Sequence, residues 1–204
     1  MLNRLFIVRH SIFMIQLLCI ATFSLGAARA DDTSDGKIDK AIQRGLAIVQ
    51  KAASNYPSHR ECFSCHHQTL PLLAMREAET AGLKFDDNVA KVIEDHTFAS
   101  FNSRIDNLNK GERLGGRAYT VSYGLWALDL ADRARDDTTT AMVQYLLKNQ
   151  RDDGRWIPPS NRPPLEESQV AVTVLSTYYM SQFAEEAQRE EVEKSLAKAR
   201  AWLS

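Results

Sequence analysis

Apolar positions recur at helical spacing from residue 37 to the end of the chain. A helix buries one face, so its apolar side chains fall three or four residues apart, whereas a half-buried strand alternates with a period of two. No stretch alternates for long enough to predict a strand. The spacing predicts seven helices, which are Lys37–Ser54, about Gln68–Ala81, one capped by Asp86 or Asp87 that ends before Asn102, Arg117–Ala134, Thr138–Asn149, about Glu167–Phe183 and Glu185–Leu203.

Two segments between these helices carry helix-breaking residues. Asn102–Gly116 is polar and contains three glycines, which predicts a loop with some local order. Arg151–Pro164 contains four prolines and cannot be regular. The sequence therefore predicts an all-α fold of helical hairpins joined by structured loops.

The first 30 residues have the pattern of a secretory signal peptide. Arg4 and Arg9 supply positive charge, Ile12–Leu25 is mostly apolar, and Ala28-Arg29-Ala30 is an A-x-A cleavage sequence. The apolar run is short and ends in small residues, which favours cleavage over the alternative, a membrane anchor. We therefore expect an exported bacterial protein, periplasmic or secreted, with no membrane segment after cleavage.

Cleavage would leave a mildly acidic chain. The whole sequence has 25 basic and 26 acidic side chains, and losing the three arginines of residues 1–30 leaves 22 against 26, a formal charge of −4. Such a protein has no electrostatic basis for binding nucleic acid. We expect a short disordered start, residues 31–36, followed by one repeat domain over residues 37–204.

The segment Cys62–Gln68 carries the sharpest chemical signal. It reads C-x-x-C-H-H-Q and contains both cysteines that remain after cleavage. The spacing Cys62, Cys65, His66 is the attachment signature of c-type haem, in which two thioethers hold the porphyrin and the histidine ligates the iron from the proximal side. Export places these thiols in an oxidising compartment, where free thiols do not persist.

Two other interpretations of the cysteine pair stay open. Cys62 and Cys65 could form a short disulfide that staples the loop, and a closely spaced pair of this kind can be redox-active. Zinc would need four ligands, for which His66 or His67 and His59 or His96 are available. If haem is bound, the candidates for the distal ligand are His96, which we place first, and Met75.

An internal repeat of about fifty residues organises the helices. One copy consists of a helix that ends at Gln150, a loop that contains Asp153-Gly154-Arg155-Trp156, and a helix that starts at Gln169. An earlier copy has Leu46–Gln50, the cysteine motif in the loop, and Leu70–Ala78. A single hairpin cannot bury its apolar face, so neighbouring hairpins must stack.

The segment Gln150–Trp156 matches the motif Q-x-x-x-G-x-W, the QW repeat of squalene–hopene cyclases and the wider prenyltransferase/squalene-cyclase superfamily. The resemblance covers residues 37–204 and implies an α/α-toroid of helical hairpins. It also implies that Gln150 and Trp156 brace neighbouring units and that Gly154 is the turn residue. The chain further resembles a group of exported bacterial cyclase-like proteins with C-x-x-C-H-H-Q in the first repeat, a group without an assigned activity.

The chain also departs from this superfamily. It contains no D-x-D-D acid of the kind with which cyclases protonate an alkene, which argues against catalysis, and Asp152-Asp153 is interpreted as a solvated turn. Three hairpins are fewer than a closed ring needs, so we expect an open arc or a chain truncated at its C-terminus. The expected functions are electron transfer or redox sensing with a redox partner, then a non-catalytic binding scaffold, and last a terpenoid-processing enzyme that takes a small apolar ligand.

Overall fold

The computed structural model describes residues 32–112, 114–158 and 167–204. Over these ranges the chain is all-helical, as predicted, with eight α-helices and two short 3-10 helices, Tyr56–Ser58 and Glu186–Gln188. The predicted signal peptide and the last part of the proline-rich segment, residues 159–164, lie outside the described residues. The α-helices are α1 Asp32–Asn55, α2 Thr69–Thr80, α3 Asp87–Asn102, α4 Ile105–Lys110, α5 Arg117–Leu130, α6 Asp137–Asn149, α7 Gln169–Phe183 and α8 Arg189–Leu203.

The chain divides into two compact units, residues 1–42 and 43–204. The described part of the first unit is the N-terminal portion of α1, on which Ile38 and Ile42 are exposed. The second unit contains all the other helices. None of the helices in the described ranges combines the length and the apolar character that crossing a bilayer requires.

Side-chain caps fix the starts of three helices of the second unit. Asp86 accepts a hydrogen bond from the Asn88 amide at the start of α3, and Ser168 accepts one from Ala171 at the start of α7. Asp136 and Thr139 form a reciprocal capping box at the start of α6. Each such cap stabilises a helix by about 1 kcal/mol. Of the two caps that the sequence left open for α3, Asp86 is therefore the capping residue.

Four helix boundaries differ from the prediction. α1 begins at Asp32, so residues 32–36, predicted to be disordered, are helical; no proline interrupts the run, and Gly36 costs the helix only about 1 kcal/mol. The predicted loop between α3 and α5 contains the short helix α4. α5 ends at Leu130 instead of Ala134, because Asp132 takes a left-handed φ of 53°. The last α-helix begins at Arg189 after a 3-10 turn.

The helices of the second unit from α2 onward alternate between two layers. One layer contains α2, α5 and α7, which pack side by side in that order, and the other contains α3, α6 and α8. Helices that follow one another along the chain also pack across the layers, as α6 and α7 do. α5 is central, because it contacts α2, α3, α6 and α7. Every hairpin therefore shares its apolar face with the next.

Two apolar clusters fill the space between the layers. The larger one centres on α5, α6 and α7 and includes Leu125, Met142 and Trp156. The smaller one joins α1, α2 and α3 and includes Leu46 and Ile93. Gly124 lets α5 approach the larger cluster closely, since a Cβ there would lie 2.3 Å from the Phe101 ring. The ring of Phe63, inside the cysteine motif, packs against both clusters.

Candidate functional site

The cysteine motif forms the turn that leads into α2. The amides of His67 and Gln68 both donate to the Ser64 carbonyl at 3.0 Å, and the Leu70 amide donates to the Cys65 carbonyl at 3.0 Å. These bonds wind the backbone into one helical turn that continues directly into α2. The spacing of the motif therefore sets which of its side chains point inward.

The side chains of Phe63, His67 and Gln68 anchor the turn. Gln68 is fully buried, and its Oε1 accepts a hydrogen bond of 2.6 Å from the Ser64 amide. The Phe63 ring lies 5.2 Å, centroid to centroid, from the Phe101 ring. His67 is partly buried, with Nδ1 3.2 Å from the Ser64 hydroxyl oxygen. These contacts hold the loop against the core.

α3 and α5 contact the backbone next to the cysteine motif and fix its position. The Ser100 hydroxyl donates to the Glu61 carbonyl at 2.8 Å, and His96 Nε2 lies 3.3 Å from the Cys62 carbonyl oxygen. The Thr69 hydroxyl donates to the Tyr123 carbonyl at 2.8 Å, which ties the start of α2 to α5. The backbone on either side of the cysteines is therefore fixed by a neighbouring helix.

The three residues with ligand chemistry remain accessible. Cys62 and His66 are exposed, and Cys65 is partly exposed. The Cys65 sulfur lies 3.4 Å from His66 Nδ1. The structure thus leaves Cys62 and His66 exposed and Cys65 partly exposed within one turn, whereas Gln68 is buried.

Tyr56 contacts Cys62, and no local sequence pattern predicts that contact. Its ring stacks on His67 and meets His96 edge-on, with centroid distances of 4.4 Å and 5.7 Å. Its hydroxyl oxygen lies 3.6 Å from the Cys62 sulfur. Burial raises the pKa of the Tyr56 phenol above its usual value of 10.0, and the neighbouring Cys62 raises it further. The phenol therefore stays protonated beside the thiol at neutral pH.

An open cleft of about 520 Å³ lies beside Cys62. It is lined by Pro57, Ser58, His59, Arg60, Glu61, Cys62 and Arg104. Arg104 follows α3, more than forty residues away along the chain, so no local pattern could place it at this site. Its two guanidinium groups outnumber its one carboxylate, that of Glu61, so the cleft has a net positive charge.

The two predicted distal ligands lie in different environments. His96 is partly buried and lies beside the cysteine turn, where it contacts the Cys62 carbonyl. Met75 is 1% exposed and packs in the smaller core cluster with Leu46 and Leu72. Of the two, only His96 is adjacent to the motif. Which residue ligates a bound iron stays a prediction.

The described histidines and cysteines do not form a conventional metal cluster. Within residues 32–112, 114–158 and 167–204, no three His, Cys, Asp or Glu side chains are grouped so that they could hold a metal ion. The described chain therefore does not assemble the four-ligand zinc site that the sequence left open. A haem iron would take only His66 from this turn as a ligand, so the absence of a three-residue metal cluster does not test haem binding.

The QW motif forms the turn after α6. Gln150 Nε2 donates to the carbonyls of Gly154 and Ser195, at 2.8 Å and 2.9 Å, and its Oε1 accepts from the Ser195 hydroxyl at 2.7 Å. Gly154 has a φ of +97°. Trp156 is fully buried, and its Nε1 donates to the Leu146 carbonyl at 2.9 Å. Gln150 thus links the end of α6 to α8, while Trp156 fills the core of its own hairpin.

Gln50, in the last part of α1, makes a similar link earlier in the chain. Its Oε1 accepts a hydrogen bond of 2.6 Å from the amide of Asp86, the N-cap of α3. Gln50 and Gln150 occupy matching positions of the predicted repeat. Both glutamines therefore connect one hairpin to the next.

Comparisons with protein-family models, with curated proteins and with solved structures find no match. The family resemblance therefore depends on Cys62–Gln68, on Gln150–Trp156 and on the helices around them.

Proposed function

We propose that this protein carries a covalently attached c-type haem on Cys62 and Cys65, with His66 as the proximal ligand, and that it serves in electron transfer or redox sensing after export. The observation that supports this most strongly is the accessibility of the ligand residues on a fixed turn. Cys62 and His66 are exposed and Cys65 is partly exposed, whereas Gln68 is fully buried and holds the turn through the Ser64 amide. A cofactor can therefore reach both thiols and the imidazole.

The residues of the site suit this cofactor. The Cys62 and Cys65 thiols would form the two thioethers, and His66, adjacent to Cys65, would supply the imidazole ligand. When bound, the haem would supply one-electron chemistry at its iron. Because α2, α3 and α5 fix the turn, the attachment residues lie on a rigid support.

The cleft beside Cys62 favours the same cofactor. Haem carries two propionate groups, and guanidinium groups pair well with carboxylates. Arg60 and Arg104 line the cleft next to Cys62. We propose that these arginines neutralise the propionates. His96, held next to the Cys62 carbonyl, is the better candidate of the two for the distal ligand.

We further propose that the helices build an open arc of the α/α-toroid kind. Two layers of alternating helices and the links made by Gln50 and Gln150 support this arrangement. α7 also exposes an apolar stripe of Val170, Val174 and Tyr178, at successive four-residue steps. Such a stripe is expected on the helix at the edge of an arc, where a further hairpin would pack.

The proposal is tested with two neighbouring histidine variants, produced in a bacterium that has the cytochrome c maturation machinery. His66→Ala removes the histidine of C-x-x-C-H, whereas His67→Ala leaves that signature intact. We expect the wild type and His67→Ala to be red, with a Soret band. His66→Ala should lose most of the covalent haem.

Two results would contradict the proposal. One is a colourless wild-type protein two hydrogens lighter than its reduced form, which would establish Cys62–Cys65 as a disulfide staple of a scaffold. The other is equal haem content in both histidine variants, since His66 would then have no special role. A soluble His67→Ala protein shows that the turn tolerates the loss of one imidazole.

A further inference from the structure

A second cavity lies between the start of α5, the end of α6 and the QW turn. It has a volume of about 250 Å³. Tyr145, Asn149, Trp156 and Ile157 contribute to its wall, together with two arginines, Arg117 and Arg151. It shares no lining residue with the cleft beside Cys62, so its function can be considered separately.

The charge of this cavity is opposite to that of the protein. Two of its described lining residues are arginines and none is acidic, although acidic side chains outnumber basic ones in the whole sequence. No carboxylate in the described ranges pairs with Arg117 or Arg151, whereas Arg133 and Arg155 both pair with carboxylates. Asp152, next to Arg151 in the chain, does not line the cavity. The two guanidinium groups are thus available to an anion.

The other polar groups of the wall are already engaged. The Trp156 indole donates to the Leu146 carbonyl, and the Asn149 amide donates to the carbonyls of Gly111 and Tyr145. Ile157 is partly exposed and offers apolar surface to whatever the arginines hold, whereas the neighbouring Trp156 is fully buried in the wall.

We propose that this cavity binds a small organic carboxylate, with its carboxylate on Arg117 and Arg151 and its apolar body against Ile157. Guanidinium groups bind carboxylates through paired, charge-assisted hydrogen bonds. The volume is below the roughly 300–1,000 Å³ of sites for drug-sized ligands, so the ligand is small. The apolar surface distinguishes a carboxylate with an apolar body from a bare inorganic oxyanion.

The test uses nuclear magnetic resonance of the uniformly ¹⁵N-labelled protein, with the three indole N–H signals as reporters. Sodium benzoate is titrated at constant ionic strength set with sodium chloride. We expect the Trp156 signal to shift and saturate, while those of Trp126 and Trp202 stay in place. Benzamide, which has the same shape without the charge, should bind at least about tenfold more weakly.

Matched variants assign the binding to the arginines. Arg117→Gln/Arg151→Gln should weaken benzoate binding by at least about tenfold. Arg44→Gln/Arg200→Gln removes the same charge from exposed positions outside the cavity and should leave binding unchanged. If the first double variant does not fold, Arg117→Lys/Arg151→Lys keeps the charge but loses the paired geometry, and it should also bind more weakly.

Several results would overturn the proposal. These are no saturable shift of Trp156 with benzoate, equal binding of benzamide, or unchanged binding in the Arg117 and Arg151 variants. A saturable shift with inorganic phosphate but none with benzoate would also overturn it, because the apolar wall would then have no role. None of these outcomes depends on haem attachment.

Discussion

The ring of Tyr56 lies face to face with the imidazole of His67, with 4.4 Å between the centroids and 20° between the planes. The contact joins the 3-10 turn after α1 to the turn before α2, and the cysteines lie between the two. The Tyr56 hydroxyl also approaches the Cys62 sulfur. One side chain therefore closes the cysteine loop and contacts its first thiol.

Loss of the Tyr56 ring should loosen the loop that carries Cys62, whose exposed thiol the Tyr56 hydroxyl contacts. Aromatic pairs of this kind contribute about 0.5–1.5 kcal/mol, which corresponds to about a two- to tenfold change in loop opening. In a haem-free Cys65→Ala background, we expect Tyr56→Leu to raise the alkylation rate of Cys62 by that factor. Tyr56→Phe keeps the stacked ring and should change the rate by less. Equal rates for both variants would show that the hydroxyl, and not the stack, protects the thiol.

Gly154 should be the least replaceable glycine of the described chain. A Cβ there would lie 2.3 Å from the Lys198 carbonyl oxygen, and its φ is +97°. We expect Gly154→Ala to lower the free energy of unfolding by about 2–5 kcal/mol in urea titrations, from backbone strain and displacement of α8.

Gly82→Ala is the matched control, because Gly82 has a φ of +72° but nothing within 4 Å of the Cβ position. Only strain remains there, so the loss should be about 1–2 kcal/mol. Equal losses at Gly82 and Gly154 would mean that the close approach of α8 to the QW turn contributes nothing.

Arg133 joins α3 to the start of α6. Its guanidinium pairs with Glu94 at 3.0 Å and with Asp136 at 2.9 Å, and it lies 3.7 Å above the centroid of the Phe98 ring. Arg133→Met keeps most of the stem but leaves Glu94, with a side chain only 16% exposed, paired only with the exposed Lys91 at 3.3 Å. We expect a loss of about 1–3 kcal/mol in the free energy of unfolding.

Arg189→Met provides the comparison for that measurement. Arg189 pairs with Glu186 at 2.6 Å, but both side chains are more than half exposed. Exposed pairs contribute little, so the loss should stay below about 1 kcal/mol. A loss as large as that of Arg133→Met would refute the claim that the Arg133 ion pairs stabilise the protein because they are partly buried.

Asp129 should destabilise the fold at neutral pH. Burial and then the nearby Asp132 raise its pKa, and it lies in the last turn of α5, where the helix dipole disfavours negative charge. The folded state therefore holds this proton more tightly, and the stability linked to Asp129 is present below pH 3.8 and lost as the pH rises.

Asp129→Asn should accordingly raise the melting temperature at pH 7, and the gain should vanish at about pH 3, where the carboxyl is protonated in both states. Asp137, in the first turn of α6, is the matched control, because the dipole favours its charge. Asp137→Asn should not raise the melting temperature at pH 7. A gain for Asp129→Asn that persists at pH 3 would show that its charge is not the cause.

Local patterns predicted the long helices and most of their starts, because apolar spacing and capping residues act within one or two turns. They missed α4, which has six residues and only two apolar positions, Ile105 and Leu108. They also extended α5 past Asp132, because a left-handed aspartate gives no sequence signal as clear as a glycine does.

The residues of the candidate site could likewise be predicted only in part. The ligand residues Cys62, Cys65 and His66 could be predicted, since their chemistry depends on spacing along the chain. Tyr56 and Arg104 could not, because tertiary packing brings them to the cysteine turn. No local sequence pattern indicates which distant residues will pack against this turn.

The most direct test of the central claim is the intact mass of the purified protein under denaturing conditions, after expression with the cytochrome c maturation machinery. Covalent attachment predicts a polypeptide heavier by one haem, and this increment should disappear in Cys62→Ala/Cys65→Ala. A wild-type mass equal to that of the polypeptide alone, or lower by two hydrogens, would contradict haem attachment at this turn.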